Sequence, residues 1–258
     1  MVKREDIIIF DNFSEKEYDD AIKQAVSYGI LSVPYTYDRF HLGNSIRGIR
    51  ERIRRIAKGK LAEKLFELYC NVNGVPISKK ETETPFWRYD KKDFEINGVK
   101  FDLKNNFLTK GNGIVTDEVL DFPALIPVDQ YKENTGYIFS FMKGRDAFEL
   151  NLSDDVIYEI SQYNNGCCGK ELDHKPEYFI NVRQYYLDMF AKYGRQKVVD
   201  IRYYPEMIIC GLKYPNDTIR NLFKVVPEKT VFQYNFGQIE THIKNYVTPV
   251  RNLYPVKF

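Results

Sequence analysis

The chain has 258 residues, 43% of them hydrophobic and 15% aromatic, with a formal net charge of +2. That hydrophobic share supports a packed core, the near-balanced charge does not mark a uniformly basic nucleic-acid coat, and no apolar run reaches the roughly 18 residues of a membrane span. Cys70, Cys167, Cys168 and Cys210 form no CxxC pair, and His41, His174 and His242 are the only histidines, which argues against zinc and for a reducing compartment. The opening "MVKREDIIIFDNF" carries too short an apolar run for a secretion leader, so a cytoplasmic location is expected.

Taken in chain order, the first element is a helix opened by a capping box, Ser14 with Glu17, and expected to stop at Gly29. The aromatic stretch "ILSVPYTYDRFHLGN" reads as an irregular connector. A long helix is expected from Ser45 to about Asn73, with Gly74 as the residue after its C-cap. Ile46, Ile49, Ile53 and Ile56 form its first apolar stripe, and Ala62, Leu65, Phe66, Tyr69 and Val72 the second. The stripe shifts at "KGK", where a bend is expected.

Strands are expected at "VPISKK", at "PFWRYD" and in a hairpin over residues 93–104. Its turn is Asn97-Gly98, the residue pair that best tolerates the positive φ angles of a two-residue type I′ turn. A loop holding Pro123 and Pro127 leads to a buried strand, "GYIFSFM", at 136–142. Helical pieces near "SDDVIYEISQY" and "PEYFINVRQYYLDMFAKYG" flank a turn at "NNGCCGK". After the strand "MIICGLKY", a helix is expected to start at Asp217 or Thr218, and "GQIETHIKNYV" suggests a last short one. No repeat or linker divides the chain, so residues 1–258 are read as one α/β domain, a central mixed sheet flanked by helices with added helical and loop elements.

The hairpin poses a question. Its register pairs Ile96 with Val99, Glu95 with Lys100 and Phe94 with Phe101, and so sets Asp93 opposite Asp102. Alternation puts Asp93, Glu95, Lys100, Asp102 and Lys104 on one face, and Phe94, Ile96, Val99, Phe101 and Leu103 on the other. Facing carboxylates repel unless something offsets them, and a divalent cation would. Oxygen ligands with few histidines point to magnesium or manganese. A wet amphipathic hairpin in a plain interaction protein is the competing reading, and it leaves the facing acids unexplained.

Asp93, then Asp102-Leu103-Lys104 at the end of an apolar strand, preceded by a helix bearing "KGKLAEKLF", resembles the active-site signature of the PD-(D/E)XK nuclease superfamily, type II restriction endonucleases in particular. The likeness covers about residues 45–145. It departs from the family pattern in Lys92, which stands where proline is usual, and in an aspartate as the second acid. It implies that Asp93, Asp102, the carbonyl of Leu103 and Glu63 hold Mg²⁺, with Mn²⁺ able to substitute. It gives Lys104 the task of orienting or deprotonating a water, and leaves a 5′-phosphate on the product.

Arg47, Arg50, Arg54, Arg55, Lys58 and Lys60 precede Glu63 on the same helix and would meet DNA phosphates, with Asn105 and Asn106 as further contacts. The resemblance further implies a homodimer on double-stranded DNA and a cognate methyltransferase encoded nearby. A sequence-specific endonuclease is thus the leading expectation. The alternatives are a structure-directed repair or recombination nuclease and a non-catalytic DNA-binding protein of the same fold.

Overall fold

A computed structural model describes residues 1–32, 46–78, 93–108, 116–145, 202–234 and 237–258. The expected strand at "PFWRYD" and the elements expected across 150–200 lie outside these residues.

Helix α1 spans Glu15–Ser32 and opens with the expected capping box. The Ser14 N–H donates to Glu17 Oε2 at 2.7 Å, and the Glu17 N–H donates to Ser14 Oγ at 3.2 Å. The helix passes through Gly29 rather than stopping there. A Cβ on Gly29 would stand 3.0 Å from the Ile53 carbonyl oxygen, so this glycine lets α1 lie close against its neighbour. That neighbour is α2, Ile46–Val72, one continuous helix through Lys58-Gly59-Lys60, which buries Ile53, Ile56, Ala62, Leu65 and Phe66 of the expected stripes and exposes Val72. It closes as expected at Gly74, φ 66°. The Val75 N–H reaches the Cys70 carbonyl at 2.8 Å and the Gly74 N–H reaches that of Asn71 at 3.3 Å, the paired bonds of a Schellman end.

The main sheet has six strands in the order β1-β7-β6-β4-β3-β2. They are β1 (Ile8–Phe10), β2 (Ile77–Ser78), β3 (Phe94–Ile96), β4 (Val99–Leu108), β6 (Gly136–Arg145) and β7 (Arg202–Lys213). β4 and β6 run parallel, pairing Phe101 with Gly136 and Asp102 with Tyr137, and the remaining pairings are antiparallel. The sheet is therefore mixed, with the strand at 136–142 beside the hairpin as expected.

Alternation along the strands divides two cores. Phe94, Phe101, Leu103, Ile138, Met142 and Ile209 face α1 and α2, against Val26, Ile53, Ala57, Leu61, Leu65 and Phe66. Tyr137, Phe139, Phe141 and Cys210 face the other way, against Phe122, Ala124, Ile126, Val250 and Leu253. Helices thus cover one face among the described residues. The second face packs on elements that include a three-stranded antiparallel sheet, β5 (Pro123–Pro127), β11 (Asn245–Pro249) and β8 (Lys224–Val226), in the order β5-β11-β8.

Two expectations fail in this second layer, and a third holds only for its start. The loop of Pro123 and Pro127 is the edge strand β5, where proline's missing N–H costs no ladder bond on the open side. The helix starts after Thr218 as expected but is one turn long, α4 (Ile219–Leu222; α3 is Thr116–Val119), and "KVV" forms β8. "GQIETHIKNYV" is not helical: Gly237–Glu240 forms β10, paired with β9 (Val231–Tyr234), and Asn245 begins β11. β-branched and aromatic residues at Tyr246, Val247 and Thr248 suit a pleated surface better than an isolated helix of this length.

Gly136 is required by close approach. A Cβ there would fall 2.4 Å from the Phe101 ring and 3.2 Å from the Lys213 carbonyl oxygen. Phe101 is buried and precedes Asp102. Gly136→Ala is therefore expected to destabilise the fold by about 2–3 kcal/mol, read as a lowered urea midpoint with unchanged slope.

Candidate active site

The hairpin forms with its expected turn: Asn97 and Gly98 have φ of 50° and 76°. Ile96–Val99, Glu95–Lys100 and Phe94–Phe101 pair as expected. The next pair does not form. The Asp93 N–H donates to the Phe101 carbonyl at 3.1 Å, one residue out of step, and Asp93 Oδ2 accepts the Leu103 N–H at 2.7 Å. Among the described residues no strand pairs with that N–H beyond the end of β3, and a bare backbone donor there would be costly. The Asp93 carboxylate supplies its partner. The carbonyl of Leu103 projects to the same side of the strand, as ladder geometry requires.

Asp102 and Lys104 alternate with Phe101 and Leu103, so they project from the face opposite α2. Lys104 Nζ lies 3.0 Å from Asp102 Oδ2, their side chains only 17% and 13% exposed. The same ammonium donates to Gln130 Oε1 at 3.4 Å and stands 5.9 Å from the centre of the Tyr137 ring. Gln130 had no signal in the sequence. It ends a 3₁₀ turn, Val128–Gln130, and is delivered by the crossover from β4 to β6.

On the α2 side, Lys60 Nζ donates to Glu63 Oε2 at 2.7 Å and lies 4.8 Å from the centre of the Tyr28 ring. Glu63 and Asp93, thirty residues apart, interact electrostatically. Burial pushes the Asp93 carboxyl well above the usual carboxylate range, and the charges of Glu63 and Asp102 push it further. Lys60 and the Leu103 N–H pull the other way without prevailing. Asp93 therefore senses both Glu63, on the α2 side, and Asp102, on the opposite face, and Lys60 and Lys104 are bonded to those two acids.

Could these groups hold a metal? The available donors are carboxylate and carbonyl oxygens, a set suited to Mg²⁺ or Mn²⁺ and not to zinc. Among the described residues, no three His, Cys, Asp or Glu side chains already converge around one point. Two of the three acids here are drawn instead to lysines. The donor chemistry and the repulsion at Asp93 would suit a hard divalent cation, which Glu63 and Asp102 could hold only once released from Lys60 and Lys104.

The cationic run before this site is not a uniform solvated face. Arg54 and Arg55 both bond Glu51, at 2.8 Å each. Burial would raise the Glu51 carboxyl, but these bonds hold it below the usual range. Arg52 is buried. Lys58 Nζ stands 4.7 Å from the centre of the Phe107 ring. Arg47 and Arg50 lie in the first turns of α2, their side chains outside the described set. Asn105 Oδ1 accepts the Ser140 hydroxyl at 2.8 Å, a bond within the sheet, while Asn106 is half-buried on the Asp102 face.

No family model matches the chain, and no curated protein or solved structure matches it. No helix among the described residues is long and apolar enough to cross a membrane.

Proposed function

We propose that this protein is a Mg²⁺-dependent endonuclease of double-stranded DNA with a restriction-endonuclease-like core, cutting at specific sequences as a homodimer. The observation that carries the reading is that Asp93, bonded to the Leu103 N–H of β4, feels the charges of both Glu63 and Asp102, with Lys104 bonded to Asp102. A structural hairpin gains nothing from an acid whose ionisation two neighbouring acids oppose, whereas a phosphodiester hydrolase uses such a group.

In this reading Asp93, Asp102, the Leu103 carbonyl and Glu63 hold the cation. Bound there, Mg²⁺ would lower the pKa of a coordinated water and offset charge building on the scissile phosphate. Lys104, steadied by Asp102 and Gln130, orients the attacking water and faces the phosphate with positive charge. The Leu103 N–H fixes the Asp93 carboxylate, so that acid needs no reorganisation during the reaction. Arg54, Arg55 and Lys58 would meet the DNA backbone and give binding a steep salt dependence.

The test is digestion of phage DNA by the purified protein in Mg²⁺, with EDTA as control. Discrete bands are expected. A smear would retain the nuclease and replace sequence recognition by structure-directed cutting. Absence of cleavage in Mg²⁺ and Mn²⁺, on methylated and unmethylated DNA, would contradict the proposal and leave a non-catalytic DNA-binding protein as its successor.

A further inference from the structure

We propose that Lys60 is the built-in counterion of this site: its ammonium holds Glu63 in the metal-free protein, and a divalent cation enters by displacing it. The inference rests on the metal-site reading above and adds a control on metal affinity.

Two lysines on α2 stand three residues before a glutamate, Lys60–Glu63 and Lys64–Glu67, so spacing alone treats them alike. They differ in the structure. Lys60 Nζ is 2.7 Å from Glu63, with side chains 18% and 19% exposed, whereas Lys64 Nζ is 3.7 Å from Glu67 at 35% and 28%. The Lys60 charge also reaches Asp93, on a different element, which makes it part of the acidic cluster and not merely a helix-surface pair.

An ammonium donating to a Glu63 oxygen competes for the same lone pairs that a cation would use, and its charge repels that cation. The face of Tyr28, 4.8 Å away, gives the displaced ammonium a second resting place. In the metal-free state, Lys60 therefore limits the cost of a buried carboxylate cluster, and it weakens metal binding in return.

Calorimetric titration of Mn²⁺ at pH 8 into the full chain tests this, using wild type, Lys60→Met and Lys64→Met. The two variants remove the same charge from the same helix. Lys60→Met is expected to bind Mn²⁺ about tenfold more tightly than wild type, with Lys64→Met within about twofold. Equal affinities in the two variants, or weaker binding by Lys60→Met, would overturn the proposal. In wild type, where no mutation can disturb folding, amine labelling read by mass spectrometry should rise at Lys60 on adding Mn²⁺ and stay constant at Lys64. Mn²⁺ binding with no change at Lys60 would also overturn it. Failure of every protein to bind Mn²⁺ would remove the metal-site reading itself, a result distinct from binding without displacement.

Discussion

Asp102→Asn is expected to lower Mg²⁺-dependent cleavage of duplex DNA by about 10³-fold or more, and Lys104→Met by about 10²–10³-fold, the scale of losing one preorganised charge at a developing oxyanion. The two losses have different causes and a second measurement separates them. Asp102 would hold the cation, so Asp102→Asn should also weaken Mn²⁺ binding. Lys104 binds no metal, and its ammonium sits 3.0 Å from an Asp102 oxygen, so Lys104→Met should leave Mn²⁺ affinity undiminished. Loss of metal binding in both variants would make Lys104 a structural partner of Asp102 and remove its assigned role.

Asp93→Asn should make the metal-free protein more stable at neutral pH while destroying its activity. The Asp93 carboxyl is raised by burial and then by Glu63 and Asp102. Between its unfolded value and that raised value, the folded state binds more protons than the unfolded one. The contribution of this residue to stability is therefore full below the unfolded pKa, near 3.9, and is lost as pH rises through the folded one. Asparagine keeps an oxygen that can accept the Leu103 N–H and discards the charge. The expected gain is about 1–3 kcal/mol at pH 8, in the range for relieving a buried unneutralised acid, and should vanish near pH 3. Urea unfolding across that range measures it. A destabilised Asp93→Asn at pH 8 would mean that the ionised carboxylate is held by stronger partners than those identified. Saturating Mg²⁺ should stabilise wild type and not the variant, through binding linkage.

Local signals carried the legible part of the fold. The Asn97-Gly98 turn, the Ser14–Glu17 capping box and the Gly74 ending each depend on a few adjacent residues, and each is present as read. The nearness of Asp93 to both Glu63 and Asp102, and of Lys104 to Asp102, follows from the hairpin and the helix before it. The direct opposition of Asp93 and Asp102 did not survive, because the unpaired Leu103 N–H competes for the Asp93 carboxylate at the end of β3. Pairwise register cannot reveal such a bond, which depends on where the neighbouring strand ends.

Longer-range relations were less visible. Gln130 reaches Lys104 only through the crossover that makes β4 and β6 parallel. Lys60 looked like one more phosphate contact in a basic run, and its inward pairing shows in the packing of α1 on α2. The second layer is hard to see in the sequence because β5, β8 and β11 are three to five residues each. The pairing of β11 with β5 joins segments more than a hundred residues apart, as in Thr248 with Ala124. At that length, an accidental helical spacing outweighs a strand pattern.

The most direct measurement of the central claim is the position of Mn²⁺ by anomalous scattering in crystals of the protein soaked with the ion. A peak is expected in contact with carboxylate oxygens of Asp93 and Asp102 and with the Leu103 carbonyl. A peak elsewhere, or none at saturating Mn²⁺ with Lys60 and Lys104 still seated on Glu63 and Asp102, would contradict it and return the acids to a purely structural role.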